Sequence, residues 1–160
     1  MNGDDLAPTR EPVALLQALN SIRRDGRRDR RAEVLELIGH PSPLVREEAL
    51  SLLLSGWKEA DVRADALAAL RHDPDFGVRT TAAIGLAGVS SEATAQQDTE
   101  VLAAVVRDTN EDVDVRRAAY EALCLIHRRP VPPLNRAFDV DRDVDVEWLG
   151  GLGRGRKGMG

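Results

Sequence analysis

The sequences PSPLVREEAL at residues 41–50, PDFGVRTTAA at residues 74–83 and EDVDVRRAAY at residues 111–120 share one pattern. Each contains a turn, then a Val-Arg pair, then alanine. The Val-Arg pairs begin at residues 45, 78 and 115, which gives separations of 33 and 37 residues. A period of this length accommodates two short helices and two turns, so it predicts one helical hairpin per repeat.

Apolar residues within each unit recur every three or four positions, the spacing of one face of an α-helix. An additional leading helix ends at Asp25-Gly26 and caps the stack. We therefore predict an all-α fold, a right-handed superhelical α-solenoid of antiparallel helix pairs with an extended C-terminal tail. The predicted helices span residues 11–24, 28–39, 44–55, 59–71, 76–88, 97–107 and 113–128.

The composition of the chain changes after residue 129. Pro130, Pro132 and Pro133 interrupt the helical pattern, and a glycine- and arginine-rich end follows. We predict a flexible terminus over residues 1–10, a helical repeat domain over 11–129, and a tail over 130–160 whose last ten residues are disordered.

Charge and cysteine content restrict the classes of function. The net charge of −5 and pI near 5.2 disfavour a nucleic-acid partner, because binding phosphates requires a surplus of cations. Cys124 is the single cysteine, which excludes an internal disulfide. The apolar runs are too short to cross a bilayer, so we expect no membrane association and a cytoplasmic location. The oligomeric state is not predicted.

The repeats resemble the HEAT repeat family in its short, phycobilisome-lyase-like form, in which a Pro or Asp turn precedes Val-Arg and small residues. The resemblance covers about residues 32–127. Ser42 departs from it, since the other units carry Asp75 and Asp112 there, and residues 90–97 lengthen one connection. The resemblance implies a scaffold, an adaptor or, in bacteria, an inhibitor. It also implies two alternatives, a bilin lyase or isomerase and a binder of nucleic-acid backbone.

The recurring charged residues favour a structural role. Aspartate in the turn caps the next helix, and the arginine can bond turn carbonyls or the aspartate of an adjacent unit. We predict a structural ladder of Arg46, Arg79, Arg116, Asp75 and Asp112.

Carboxylates alternate with mostly apolar residues over residues 139–148. In an extended strand or arm, the acids would share one face, which suits docking on the solenoid or recognition of a basic partner. A calcium loop is disfavoured, because no glycine stands at its sixth position and no acid at its twelfth. The candidate partner-binding residues here are Asp139, Asp141, Asp143, Asp145, Glu147 and Trp148.

Residues 23–31 contain six arginines and two aspartates, a local charge of +4. This cluster is either a docking patch for an acidic protein, for nucleic acid or for the acidic tail of the chain, or a solvated helix end. The candidate partner-binding residues are Arg24, Arg27, Arg28 and Arg31.

Histidine, cysteine and tryptophan provide weaker candidates. His40 and His72 occupy equivalent turns, but helix packing separates such positions too far for one metal ion. Cys124 lies three residues before His127, which permits a nucleophile, yet its apolar neighbours favour a structural thiol. Trp57 and the tryptophan of the acidic segment fit either an interface or the core.

We predict a non-enzymatic protein-protein interaction module, without a cofactor, that binds a basic partner through a solenoid face and the acidic C-terminal segment. The alternatives are bilin chemistry, which the scarcity of aromatic residues disfavours, and nucleic-acid binding through the Arg23–Arg31 cluster.

Overall fold

The computed structural model describes residues 6–8, 10–133 and 136–152, and within these ranges it contains helices and no strand. When the 3₁₀ turns on both sides of α2 and before α4 and the π-helical turn after α3 are counted with their helices, each predicted helix is present with bounds shifted by two residues or fewer. The α-helices are α1 Pro12–Asp25, α2 Arg31–Glu36, α3 Pro43–Ser51, α4 Arg63–His72, α5 Phe76–Val89, α6 Ala95–Arg107, α7 Val113–Ile126, α8 Val140–Asp143 and α9 Val146–Gly151.

The repeats stack in two layers. Helices α1, α3, α5 and α7 contact one another in that order, while α4 packs on α5 and α6 packs on α7. Short turns join the two helices of each pair, so they run antiparallel. This arrangement confirms the predicted solenoid of antiparallel helix pairs.

The second helix of each repeat buries the same three side chains at four-residue steps. All nine are fully buried. This explains why the valine of each Val-Arg pair is followed by an alanine four residues later and a leucine eight residues later. They are Val45 and Ala49 in α3 with Leu53 in the turn that continues it, Val78, Ala82 and Leu86 in α5, and Val115, Ala119 and Leu123 in α7.

Helices α3 and α5 approach closely at Gly85. A Cβ atom at this position would lie 2.6 Å from Leu54 Cδ1, which no real Cβ tolerates. Helix α3 continues there into a π-helical turn, Leu52–Gly56, and Trp57 after it is buried. Trp57 is therefore part of the core and unavailable as an interface anchor.

The C-terminal segment, defined here as residues 136–152, is helical and folds back onto α7. The prediction of an extended arm over residues 139–148 is wrong, because Asp139 and Asp145 cap the short helices α8 and α9. Leu6, within the terminus predicted to be flexible, is buried in the core. The predicted disorder of the last ten residues falls almost wholly on 153–160, outside the described residues.

Candidate partner-binding surface

Arginines of the repeat pattern join the turns along one edge of the solenoid. Arg46 in α3 donates to the Asp73 carboxylate at 2.7 and 2.8 Å and to the carbonyl oxygens of His40 and Pro41. Burial opposes ionisation of Asp73, but the bonds from Arg46 and from the Asp75 amide outweigh it and lower its pKa. The turn before α3 is thereby tied to the turn before α5.

The second unit repeats this arrangement with a different acid. Arg79 in α5 donates to the Glu111 carboxylate at 2.8 and 3.2 Å and to the carbonyls of Asp73 and Pro74. Arg116, at the third position, donates through Nε to the Val106 carbonyl. Arg46 therefore connects the turn before α3 to the turn before α5, and Arg79 connects the turn before α5 to the turn before α7.

The predicted ladder aspartates cap helices, as expected, but they are not the acids that pair with the ladder arginines. Asp75 accepts from the backbone amides of Gly77 and Val78, and Asp112 accepts from the amide of Asp114. They are N-caps of α5 and α7, and the acids that pair with Arg46 and Arg79 are Asp73 and Glu111 instead.

Exposed apolar side chains follow the same edge. We define the edge row as Val13, Leu44, Phe76 and Val113, which lie in the first turns of α1, α3, α5 and α7 and are 66%, 59%, 53% and 48% exposed. Each projects where its helix begins, beside the turns that the arginines connect. Each helix of this layer therefore exposes one apolar side chain to water at its N-terminal end, and exposed apolar area is what a partner-binding surface offers.

A groove of about 360 Å³ opens between α5 and α7 next to this row. Its apolar lining comes from Phe76, Ile84 and Ala118. Glu47 reaches it from α3, because its Oε2 lies 3.0 Å from the position that a Cβ on Gly77 would occupy. The groove therefore spans the second helices of three repeats.

The polar lining of the groove is mostly acidic. Asp114 and Glu121 of α7 join Glu47, and Arg117 is paired with Glu121 at 2.7 Å. Thr80 Oγ1 and Arg117 Nη2 are buried and have no hydrogen-bond partner in the part of the chain that the structure describes. The groove wall thus retains hydrogen-bonding capacity that the fold does not use.

Sequence reasoning missed the groove, although a signal was present. Glu47, Thr80 and Arg117 each stand two residues after the valine of the repeat pattern. Comparison of that position across the repeats would have placed these side chains on one surface, whereas a search for clusters along the chain does not.

The Arg23–Arg31 cluster is held by acids and turns within the protein. Arg24 pairs with Asp25 and Arg27 with Asp29, whereas Arg28 donates to the Trp57 carbonyl. Arg30 pairs locally with Glu33, three residues later. The other two arginines pair with more distant acids: Arg23 with Glu48, and Arg31 with Glu59 and Asp61.

The acidic C-terminal residues are divided between internal bonds and solvent. Asp143 pairs with Arg136 and Arg142, Asp145 pairs with Arg129 at 2.8 Å, and Asp139 caps α8. Asp141 and Glu147 are exposed. The segment therefore does not present all five acids on one face.

Trp148 is half-buried in an aromatic contact with α7. Its ring centroid lies 5.9 Å from that of Tyr120 and 5.6 Å from that of His127, and Arg129 Cζ lies 4.3 Å from the ring. Tyr120 Oη also accepts from the Asp145 amide at 2.9 Å. This tryptophan holds the C-terminal segment on the solenoid.

Cys124 is 1% exposed, and burial is the main cause that raises the pKa of its thiol. His127 contacts Thr99 Oγ1 at 2.9 Å through Nε2. A buried thiol with a raised pKa is a poor nucleophile, which agrees with a structural cysteine.

Residues 6–8, 10–133 and 136–152 contain neither a metal-binding cluster nor a membrane-spanning helix. No group of three or more His, Cys, Asp or Glu side chains there is arranged to hold a metal ion. None of the helices in these ranges has the length and apolar character to cross a membrane.

Comparison with known proteins identifies the family. The family model for HEAT repeats matches residues 31–124, well over half of the 160 residues. No curated protein and no solved structure matches the chain. The matched region runs from α2 to α7 and contains all three Val-Arg units, so the chain belongs to the HEAT repeat family.

Proposed function

We propose that the protein is a non-enzymatic interaction module that binds a basic protein partner through the exposed face of α3, α5 and α7. HEAT repeats generally mediate protein-protein interactions, and the chain carries a net charge of −5. The observation that carries the proposal is the edge row beside an acidic groove, because it combines exposed apolar area with charge suited to a cationic partner.

The other two candidate surfaces are weaker. The arginines of the Arg23–Arg31 cluster bond to acids or a carbonyl of the same chain, which lowers the local field available to an acidic partner or to nucleic acid. In the C-terminal segment, Asp143 and Asp145 are paired with arginines. We therefore assign the main contact to the solenoid face.

Affinity capture from native extract with matched surface variants tests this proposal. Phe76→Asp/Val113→Asp places two charges in the edge row, and Val131→Asp/Val146→Asp places two on exposed valines outside it. We expect a stoichiometric, nuclease-resistant partner whose recovery falls about tenfold or more in the first variant and stays near that of the unaltered protein in the second.

The alternatives give different results in the same experiment. Equal capture by both variants would remove the edge row from the interaction. Recovery that depends on nucleic acid, and is lost on nuclease treatment, would move the function to backbone binding. Circular dichroism and melting temperature of each variant exclude unfolding as the cause.

A further inference from the structure

The groove between α5 and α7 has the room and the chemistry to accept an extended side chain. Its volume of about 360 Å³ exceeds that of any single amino-acid side chain, and Phe76, Ile84 and Ala118 supply its apolar lining. Ala118 is buried while Phe76 is 53% exposed, so the apolar surface continues from the interior to the outer edge.

The charges around this apolar lining select the occupant. Glu47, Asp114 and Glu121 carry three negative charges, and Arg117 offsets one of them through its bond with Glu121. Two carboxylates therefore remain without a cationic partner among the contacts of the described chain: Glu47 accepts only from the Thr81 hydroxyl, and Asp114 is exposed. An aliphatic stem with a cationic end complements this combination.

We infer that this groove binds a basic segment of a partner protein by accepting an arginine or lysine side chain. The methylene groups of that side chain pack between Phe76 and Ile84, and its charged end lies near Glu47 and Asp114. The inference rests on the proposed function and adds to it the position of the contact and the residue type that is recognised.

Titration with defined peptides tests the inference without an unknown partner. The probe is a short acetylated and amidated peptide of alternating leucine and arginine, added to the ¹⁵N-labelled full chain and followed by amide shifts. We expect saturable shifts at Gly77, Ile84 and Ala118, and weaker binding as NaCl rises from about 50 to about 500 mM, because salt screens partly exposed charges. A second peptide, with citrulline in place of each arginine, retains the shape and removes the charge. Its affinity should be lower by a factor of about ten or more.

A matched pair of variants separates the groove from the general field of an acidic protein. Glu47→Gln/Asp114→Asn removes two charges from the groove, and Asp65→Asn/Glu92→Gln removes two exposed charges elsewhere. We expect the first to weaken binding of the arginine peptide about fivefold to thirtyfold and the second less than about twofold.

Several outcomes would overturn the inference. These are equal losses in both variants, equal binding of the citrulline peptide, shifts confined to other surfaces, or a dimer of the unaltered chain that Glu47→Gln/Asp114→Asn dissociates. If the capture experiment still finds a partner that depends on the edge row while the peptides do not bind here, the proposed function stands and the arginine or lysine site fails.

Discussion

The repeats from α3 to α7 and the C-terminal segment use charged side chains in different ways. In the repeats, acids and arginines at corresponding positions connect one unit to the next, as Arg46 does with Asp73 and Arg79 with Glu111. In the C-terminal segment, the pair of Arg136 with Asp143 and the caps of α8 and α9 are local. We therefore expect the repeats to unfold as one cooperative stack and the segment to depend on α7 for its position.

The largest effect is expected at a fully buried carboxylate in the repeats. Asp98 in α6 accepts from Arg63 of α4 and from Ser90 after α5, and its side chain is 0% exposed. Asp98→Ala leaves Arg63 without this buried partner, so we expect the free energy of unfolding to fall by about 3 kcal/mol or more. Urea denaturation followed by circular dichroism measures it.

Two variants of the same helix control this prediction. Glu100→Ala removes an exposed carboxylate two residues away, and its effect should stay within about 0.5 kcal/mol. Asp98→Asn retains an oxygen that accepts hydrogen bonds, so its free energy of unfolding should fall less than that of Asp98→Ala. A loss below about 1 kcal/mol for Asp98→Ala would show that α4 and α6 are not held together through this ion pair.

A smaller, local effect is expected in the C-terminal segment. Trp148→Ala removes the ring contacts with Tyr120 and His127 and the cation-π contact with Arg129. We expect the free energy for opening residues 136–152 to fall by about 2 kcal/mol, while amide exchange in α3 to α5 is unchanged. Hydrogen exchange with mass spectrometry separates the two regions.

The exposed neighbour Val146 provides the control. It is 70% exposed, so Val146→Ala should leave exchange in both regions as it is. Faster exchange throughout α3 to α5 in Trp148→Ala would contradict the distinction between the two regions, because the segment would then belong to the cooperative stack.

The same distinction explains what the sequence could predict. The repeats were predictable because every unit carries the same local pattern, and Val45, Val78 and Val115 are all buried by it. Their role follows from spacing alone, whereas the end of α1 follows from residue type, because Gly26 adopts a φ of +66° that suits glycine.

The C-terminal segment was not predictable for the converse reason. Alternating acids fit a strand, but the same aspartates also cap short helices, so local pattern does not decide between them. The deciding contact is that of Tyr120 with Trp148 and the Asp145 amide, at least 25 residues away in the chain. The groove was missed similarly, since the stacking of repeats is what places Glu47 and Asp114 on one groove.

The smallest effect is a pH dependence of the contact between the segment and α7. Burial, and then the positive charge of Arg129, lower the pKa of His127 from its ordinary value of 6.5. A histidine with a lowered native pKa binds fewer protons folded than unfolded under acidic conditions. Its contribution to stability is therefore complete above pH 6.5 and is lost as the pH falls through the native pKa.

Urea denaturation at about pH 7.5 and about pH 5 measures this contribution, which we expect to stay below about 1 kcal/mol because solvent screens the exposed part of the ring. His127→Gln should remove this part of the pH dependence, whereas His72→Gln, at an exposed position, should retain it. Trp148 fluorescence in a Trp57→Phe background reports on the segment directly, because the His127 ring lies next to the Trp148 ring and its protonation changes the surroundings of the indole. A pH response of this signal that persists in His127→Gln would assign the effect to another group and leave the segment's attachment independent of the histidine.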